Sequence, residues 1–171
     1  TSWPSDLAVL NSTGLYMELK ETSRSLTPFP LKRDRIGHLI NLPLSAVGRA
    51  YLAFCSDAEC KTILNRLKAL KFRENRPIYN EKKFAETLEE IRDDGFATRE
   101  ASFGGGYKPL RSDSDDGLNA IAVPIQSNEN VLGVITLVWI RKAIKTQQVV
   151  DEYLKELQDS ATEIAVRFNQ K

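Results

Sequence analysis

Apolar positions alternate with polar ones in short stretches at the start of the chain, recur at helical intervals through its middle, and run almost unbroken in two stretches before a last helical periodicity. Leu7 to Leu10 and Leu15-Tyr16-Met17-Glu18-Leu19 flank Asn11-Ser12-Thr13-Gly14, a turn cluster, so these segments predict a hairpin. Residues 23 to 44 hold Pro28, Pro30 and Pro43, which exclude a long helix and favour an irregular strand and loop.

Ser45 stands before Ala46-Val47-Gly48-Arg49-Ala50-Tyr51-Leu52-Ala53-Phe54 as an N-cap, and the small residues early in that helix let a backbone or a ligand approach closely. Ser56-Asp57-Ala58-Glu59 has the form of a capping box, and Ile63, Leu64, Leu67 and Leu70 continue a second helix at the right spacing. Asn80 caps a third, with Phe84, Leu88 and Ile91 on one face and Gly95 just past its end. The second and third helices read as an outer layer. Phe96 to Glu100 reads as a strand, and Gly104-Gly105-Gly106 with Ser112-Asp113-Ser114-Asp115-Asp116-Gly117 as a long flexible connection, the least ordered part of the chain. Leu118 to Ile125 and Val131 to Ile140, joined by 126–130, predict two adjacent antiparallel strands. From near Thr146 the apolar set Val149, Val150, Tyr153, Leu154, Leu157, Ala161, Ile164, Ala165 and Phe168 predicts a final amphipathic helix. Strands, helices, strands, helix make an α+β domain with helices against an antiparallel sheet.

Length and composition narrow the function. With 171 residues the chain suits one domain, and 24 Lys and Arg against 23 Asp and Glu lack the positive field of a free-standing nucleic-acid binder. The apolar run Val131 to Ile140 is about half of a membrane-spanning helix, and no signal region opens the chain. Cys55 and Cys60 with the single His38 make neither a disulfide framework nor a zinc site, so a reducing, cytoplasmic setting is expected. Thr1-Ser2-Trp3-Pro4 leads straight into a strand without a start methionine, as in a piece of a longer protein.

Candidate chemistry is sparse. His38, Cys55 and Cys60 have no partners at metal or catalytic spacing and read as structural or surface residues. Gly104-Gly105-Gly106-Tyr107-Lys108 lacks the spacing of a phosphate loop and reads as a flexible loop. Asp113, Asp115 and Asp116 lack the glycine and glutamate steps of a calcium loop and read as a solvated acidic loop. Ser45-Ala46-Val47-Gly48 opens a helix, whose unpaired amides and partial positive charge suit a carboxylate, although every helix has such an end.

Four blocks in order carry a family resemblance: Gly37-His38-Leu39-Ile40-Asn41-Leu42-Pro43-Leu44-Ser45-Ala46-Val47-Gly48-Arg49-Ala50-Tyr51-Leu52-Ala53-Phe54, Ile91-Arg92-Asp93-Asp94-Gly95-Phe96, Ile121-Ala122-Val123-Pro124-Ile125, and Val131-Leu132-Gly133-Val134-Ile135-Thr136-Leu137-Val138. They resemble the C-terminal effector-binding domain of IclR-type bacterial transcriptional regulators, over nearly the whole chain. The resemblance implies a GAF-like fold, with a central antiparallel sheet, helices on its outer face, and a ligand pocket between its other face and loop-helix segments. An enzyme acting on a small acid lacks any nucleophile-base pair at readable spacing, so no enzyme and no cofactor are expected. The implied partners are a small-molecule effector, further copies in a dimer or tetramer, and DNA, reached only through an N-terminal winged helix-turn-helix that these residues do not contain.

Carried over block by block, the effector site falls on Leu42, Ala46, Val47, Leu118, Ala120, Thr136 and Val138. Thr136 stands where small-acid sensors of the family place a serine hydroxyl, and Val138 is apolar where they place a second polar group. An apolar Val138 suits an aromatic carboxylic acid, since a buried polar group without a partner costs about 1–3 kcal/mol. Residues 103–117 replace a short link that in the family bears an acidic pocket residue, and Glu100 is the nearest acid to that place. A domain of the same fold with a side-chain-filled pocket, acting only in assembly, is the alternative.

Overall fold

The alternating stretches at the start of the chain pair as an antiparallel hairpin in the computed structural model, which describes residues 3–26, 36–108, 110–128 and 130–170. Strands β1 (Ser5–Leu10) and β2 (Tyr16–Thr22) are joined by a turn in which Gly14 takes φ +67° and the Asn11 N–H donates to the Tyr16 carbonyl at 2.9 Å. Of the irregular segment expected over 23–44, the part spanning Pro28 and Pro30 lies outside the described residues, and its end forms a short strand β3 (Leu39–Asn41) against β2.

The two near-continuous apolar runs become the longest strands, β5 (Leu118–Ser127) and β6 (Asn130–Ile140). Both exceed their sequence-based ends, because the turn needs only two residues, with Asn128 in the left-handed region at φ 55°. The strand expected over Phe96–Glu100 shrinks to β4 (Ala97–Thr98). Glu100 leaves the sheet when its N–H donates to the Leu44 carbonyl at 2.8 Å, and Arg99 turns inward. The six strands form one antiparallel sheet in the order β3-β2-β1-β6-β5-β4.

Helix α1 (Ala46–Phe54) begins at Ser45, whose Oγ accepts the Gly48 N–H at 3.0 Å. A Cβ on Gly48 would lie 2.2 Å from the Leu42 carbonyl oxygen, so glycine there lets the incoming chain lie on the helix. Helix α2 (Asp57–Ala69) is capped by Ser56, but the box is half made: Glu59 accepts the Tyr51 hydroxyl at 2.7 Å instead of reaching back. Helix α3 (Glu81–Asp94) runs from the Asn80 cap to Gly95 at φ 75°. Helix α4 (Thr146–Asn169) closes the fold.

Helices cover both faces of the sheet. Leu118, Ala120, Ala122, Val134 and Val138 join α1 and the α2–α3 layer in one core, while Ile121, Val123, Ile125, Leu137 and Trp139 join α4 in another. Period 2 along β5 and β6 makes that division. The apolar face expected for α4 stops short of its end, and Ile164 and Phe168 are 36% and 61% exposed. The last turn is level with the end of β5, where Ser127 Oγ meets Asn169 Oδ1 at 2.7 Å, and little sheet remains beneath it. Among the described residues no helix is long and apolar enough to cross a membrane.

The connection expected to be flexible is folded. Phe103 is buried and bridges to Leu110, the Arg111 N–H donates to the Ser102 carbonyl, and the Asp116 N–H donates to the Gly104 carbonyl at 3.0 Å. A Cβ on Gly104 would lie 1.8 Å from the Ser114 carbonyl oxygen, so the glycine permits the chain to double back on itself as a strap.

Candidate functional site

On the α1 side of β5 and β6 the inward residues are small, and they leave a cavity of about 220 Å³ between sheet, α1 and strap. Ala46, Val47, Leu118, Ala120, Thr136 and Val138 all line it. Leu42 does not: it is fully buried in the core, its backbone against Gly48. Glu100 is also outside, its carboxylate accepting from the Ser102 N–H and Oγ.

One wall is polar without being satisfied. Thr136 is 3% exposed and its Oγ1 has no hydrogen-bond partner among the described residues. The cap at α1 takes the Gly48 N–H on Ser45 Oγ and the Arg49 N–H on the Ser45 carbonyl, which leaves the N–H groups of Ala46 and Val47 outside it. An orphaned buried hydroxyl costs about 1–3 kcal/mol, which a ligand atom at this wall would recover.

The opposite part of the lining is charged, and the sequence reading did not reach it. Arg99 donates from Nη1 to both Asp116 oxygens at 2.9 Å and to the Leu118 carbonyl at 3.1 Å, with its guanidinium 5.0 Å from the Phe103 ring centroid. Burial pushes the Arg99 pKa down, and the Asp116 carboxylate works against that shift. Beside it Asp6 accepts from Arg24 Nη2 at 2.6 Å and from Thr22 Oγ1 at 2.6 Å. His38 completes the rim. Since each arginine faces a carboxylate, these four groups carry no net formal charge.

The acidic run is solvated over 112–115, as expected, but it is also tied down, and Asp116 turns inward. Asp116 pairs with Arg99, Asp115 with Arg141 at 2.6 Å, and Asp113 with Arg73, so each aspartate ties the strap to a different part of the domain. Arg141 holds the Asp115 carboxyl well below the usual carboxylate range. The strap tip crosses to the edge of the sheet: the Asn41 N–H donates to the Gly106 carbonyl at 3.1 Å, and the Tyr107 ring meets Tyr16 edge-on at 5.7 Å. The acids that line the cavity are Asp6 and Asp116, not Glu100. Arginines at 24, 73, 99 and 141 against aspartates at 6, 113, 115 and 116 were a signal of charge pairing, but no spacing rule links residues so far apart in sequence.

A family model described as bacterial transcriptional regulator IclR C-terminal matches residues 6–166. Among solved structures, IclR of Thermotoga maritima superposes with a TM-score of 0.75 at 21% identity, over 98% of this chain and 62% of that one. An IclR family regulator of Brucella abortus gives 0.72 at 18%, over 97% of this chain and 56% of that one. A double mutant of the PobR inducer-binding domain of Acinetobacter, in complex with 3-hydroxybenzoic acid, gives 0.68 at 17%, over 96% of this chain and 88% of that one. These likenesses establish the fold, and the chain spans 56% and 62% of the Brucella and Thermotoga proteins.

Proposed function

Because the chain belongs to the family of IclR-type C-terminal domains of bacterial transcriptional regulators, we propose that its cavity binds a small aromatic carboxylic acid and that occupancy controls an attached DNA-binding domain. Family and fold are those of transcriptional regulators, not of enzymes. The observation that carries the proposal is the buried Thr136 Oγ1, which has no hydrogen-bond partner among the described residues and belongs to a residue lining a cavity whose neighbouring walls, Leu118, Ala120 and Val138, are apolar. A cavity of about 150 Å³ takes up benzene, so about 220 Å³ has room for one ring with a carboxylate. The PobR domain in complex with 3-hydroxybenzoic acid supports the aromatic class.

In this reading Ala46, Val47, Leu118, Ala120, Thr136 and Val138 are effector-contacting residues, residues 1–171 form one effector-binding domain, and a winged helix-turn-helix elsewhere in the regulator contacts DNA. Genes of aromatic-acid catabolism are the regulated class, and the setting is cytoplasmic. The effector acts by linkage, through different affinities for two arrangements of the regulator. Thermal unfolding against a panel of aliphatic and aromatic acids tests it: an acid at 100 times its Kd adds about 2.7 kcal/mol. Ala46→Leu, which fills the cavity, is expected to abolish that gain. Silence across the panel, or an undiminished gain in Ala46→Leu, overturns the assignment and leaves a filled-pocket assembly domain as the alternative.

Self-association is the second part of the proposal. Ile164 and Phe168, one turn apart on α4, are exposed on the same face at its end, an apolar pair that the described residues of the domain leave uncovered. Sedimentation at micromolar concentration is expected to show a dimer or tetramer; a monomer throughout overturns this part.

A further inference from the structure

The effector reading leaves open which group in the cavity receives the acid. The amides of Ala46 and Val47 offer a partial charge, whereas Arg99 offers a whole one inside the same lining. The Arg99 side chain is 8% exposed and Asp116 17%, so this pair is largely out of water. Its geometry is one-sided. A single nitrogen, Nη1, takes both Asp116 oxygens and the Leu118 carbonyl. Nε and Nη2, the edge of the guanidinium that matches the two oxygens of a carboxylate, have no hydrogen-bond partner among the described residues.

Resting on the effector reading above, we propose that Arg99 is the carboxylate receptor of the cavity, and that the effector takes it by displacing Asp116. An acid on the open Nε/Nη2 edge brings a second negative charge onto a guanidinium already neutralised by Asp116. Two like charges on one cation in a site of low exposure do not coexist at equal strength, and the one with two-point contact wins. Asp116 is the movable partner because it sits at the base of the strap. Its N–H holds the Gly104 carbonyl, its Oδ1 accepts the Leu118 N–H at 3.0 Å, and its side chain lies where a Cβ on Gly105 would be 2.7 Å from Oδ2. Losing Arg99 therefore loosens the place where the strap enters β5. Asp116 acts as an internal competitor: it keeps Arg99 neutralised while the cavity is empty, and it makes the cavity select for ligands that carry a full negative charge.

Benzoate and benzamide are the probe pair, equal in shape and different in charge. Asp116→Asn retains an oxygen for the Leu118 N–H and removes the competing charge, so benzoate is expected to bind about tenfold more tightly than to the parent while benzamide changes little. Arg99→Lys keeps the charge without the two-point edge and is expected to lower the benzoate-to-benzamide ratio by about as much. Independently of any variant, benzoate is expected to speed amide exchange at Leu118 in the parent, and benzamide to leave it unchanged. A benzoate-to-benzamide ratio unmoved by both substitutions, or unchanged exchange at Leu118 with benzoate bound, overturns the proposal while the effector reading stands. No benzoate binding to the parent or to Asp116→Asn also overturns it, and the wider acid panel then decides the effector reading by itself.

Discussion

The two faces of β5 and β6 are made by the same residues read one step apart, yet they do opposite things. Toward α4 the strands present Ile121, Val123, Ile125, Leu137 and Trp139, large side chains that meet Val149, Leu157, Ala161 and Ala165, with no buried polar side-chain atom left unpaired there among the described residues. Toward α1 they present Leu118, Ala120, Ala122, Val134, Thr136 and Val138. Here two alanines, a threonine and the small residues Ala46, Gly48 and Ala50 stand where the other face has aromatic and branched bulk. The difference teaches that the cavity comes from side-chain volume and not from an unusual backbone: one continuous pair of strands is a core on one side and a container on the other. A close-packed interior tolerates such a void only where something else pays, and the polar wall and the strap are the features that the α4 face lacks.

Replacing the bulk of the packed face is expected to have the largest effect on stability. Trp139 is fully buried and its indole N–H donates to the Ile144 carbonyl at 3.2 Å, so Trp139→Ala is expected to lose about 3–5 kcal/mol in denaturant unfolding. A loss under 1 kcal/mol would erase the contrast between the faces. The opposite change sharpens it. Ala120→Leu adds volume to the container face and is expected to cost under about 1.5 kcal/mol in stability, because the added carbons enter existing space, while blocking acid binding in calorimetry. Destabilisation as large as that of Trp139→Ala would mean that the space is not there.

Thr136→Val keeps the shape and removes the orphaned hydroxyl. Folding is expected to be unchanged or slightly improved, and binding of whichever acid stabilises the parent to weaken by about 1 kcal/mol. Lys155→Ala, on the exposed face of α4, serves as the control that moves neither. A Thr136→Val protein that loses stability like a core variant would show that the hydroxyl has a partner.

The smallest effect concerns the strap and acid. Asp115 is held below its ordinary 3.8 first by the Arg141 side chain and then by the Gly117 N–H. A depressed carboxyl contributes stability that is complete above its unfolded value and is lost only as pH falls through the lower folded value, so this tie stays whole from neutrality down to about pH 4 and fails below it. Tyr107 ring resonances, which report the strap tip against Tyr16, are expected to stay constant over that range and shift only under stronger acid. A shift between pH 5 and 7 would show that Asp115 does not hold the strap.

Much of the fold was legible because local rules and tertiary packing agreed. Ser45, Ser56 and Asn80 cap the helices they precede, Gly95 ends the third in the left-handed conformation, and the Val- and Ile-rich runs pair as neighbours with one register shift, between Ile125 and Gln126. The family resemblance brought Ala46, Val47, Leu118, Ala120, Thr136 and Val138 to one cavity wall, although Leu42 packs beneath it. The errors share a cause. Gly104–Gly106 and the aspartates that follow read as flexible by composition, but Gly104 allows a doubling-back and each aspartate, Asp113 and Asp115 while still exposed, finds an arginine from another part of the chain. The α4 face was followed past the end of the sheet because periodicity carries no information on where a partner stops.

By itself, then, the amino-acid sequence determined which segments are helices and strands, which face of each is apolar, and to which family the chain belongs, since caps, period and block order are properties of neighbours along the chain. Only the tertiary structure decided that Asp116 rather than Glu100 enters the cavity, that Arg99 meets it with one edge left open, and that the Thr136 hydroxyl has no partner among the described residues. Charge pairs and voids depend on distances between residues far apart in sequence, and those distances exist only once the sheet has closed against its helices.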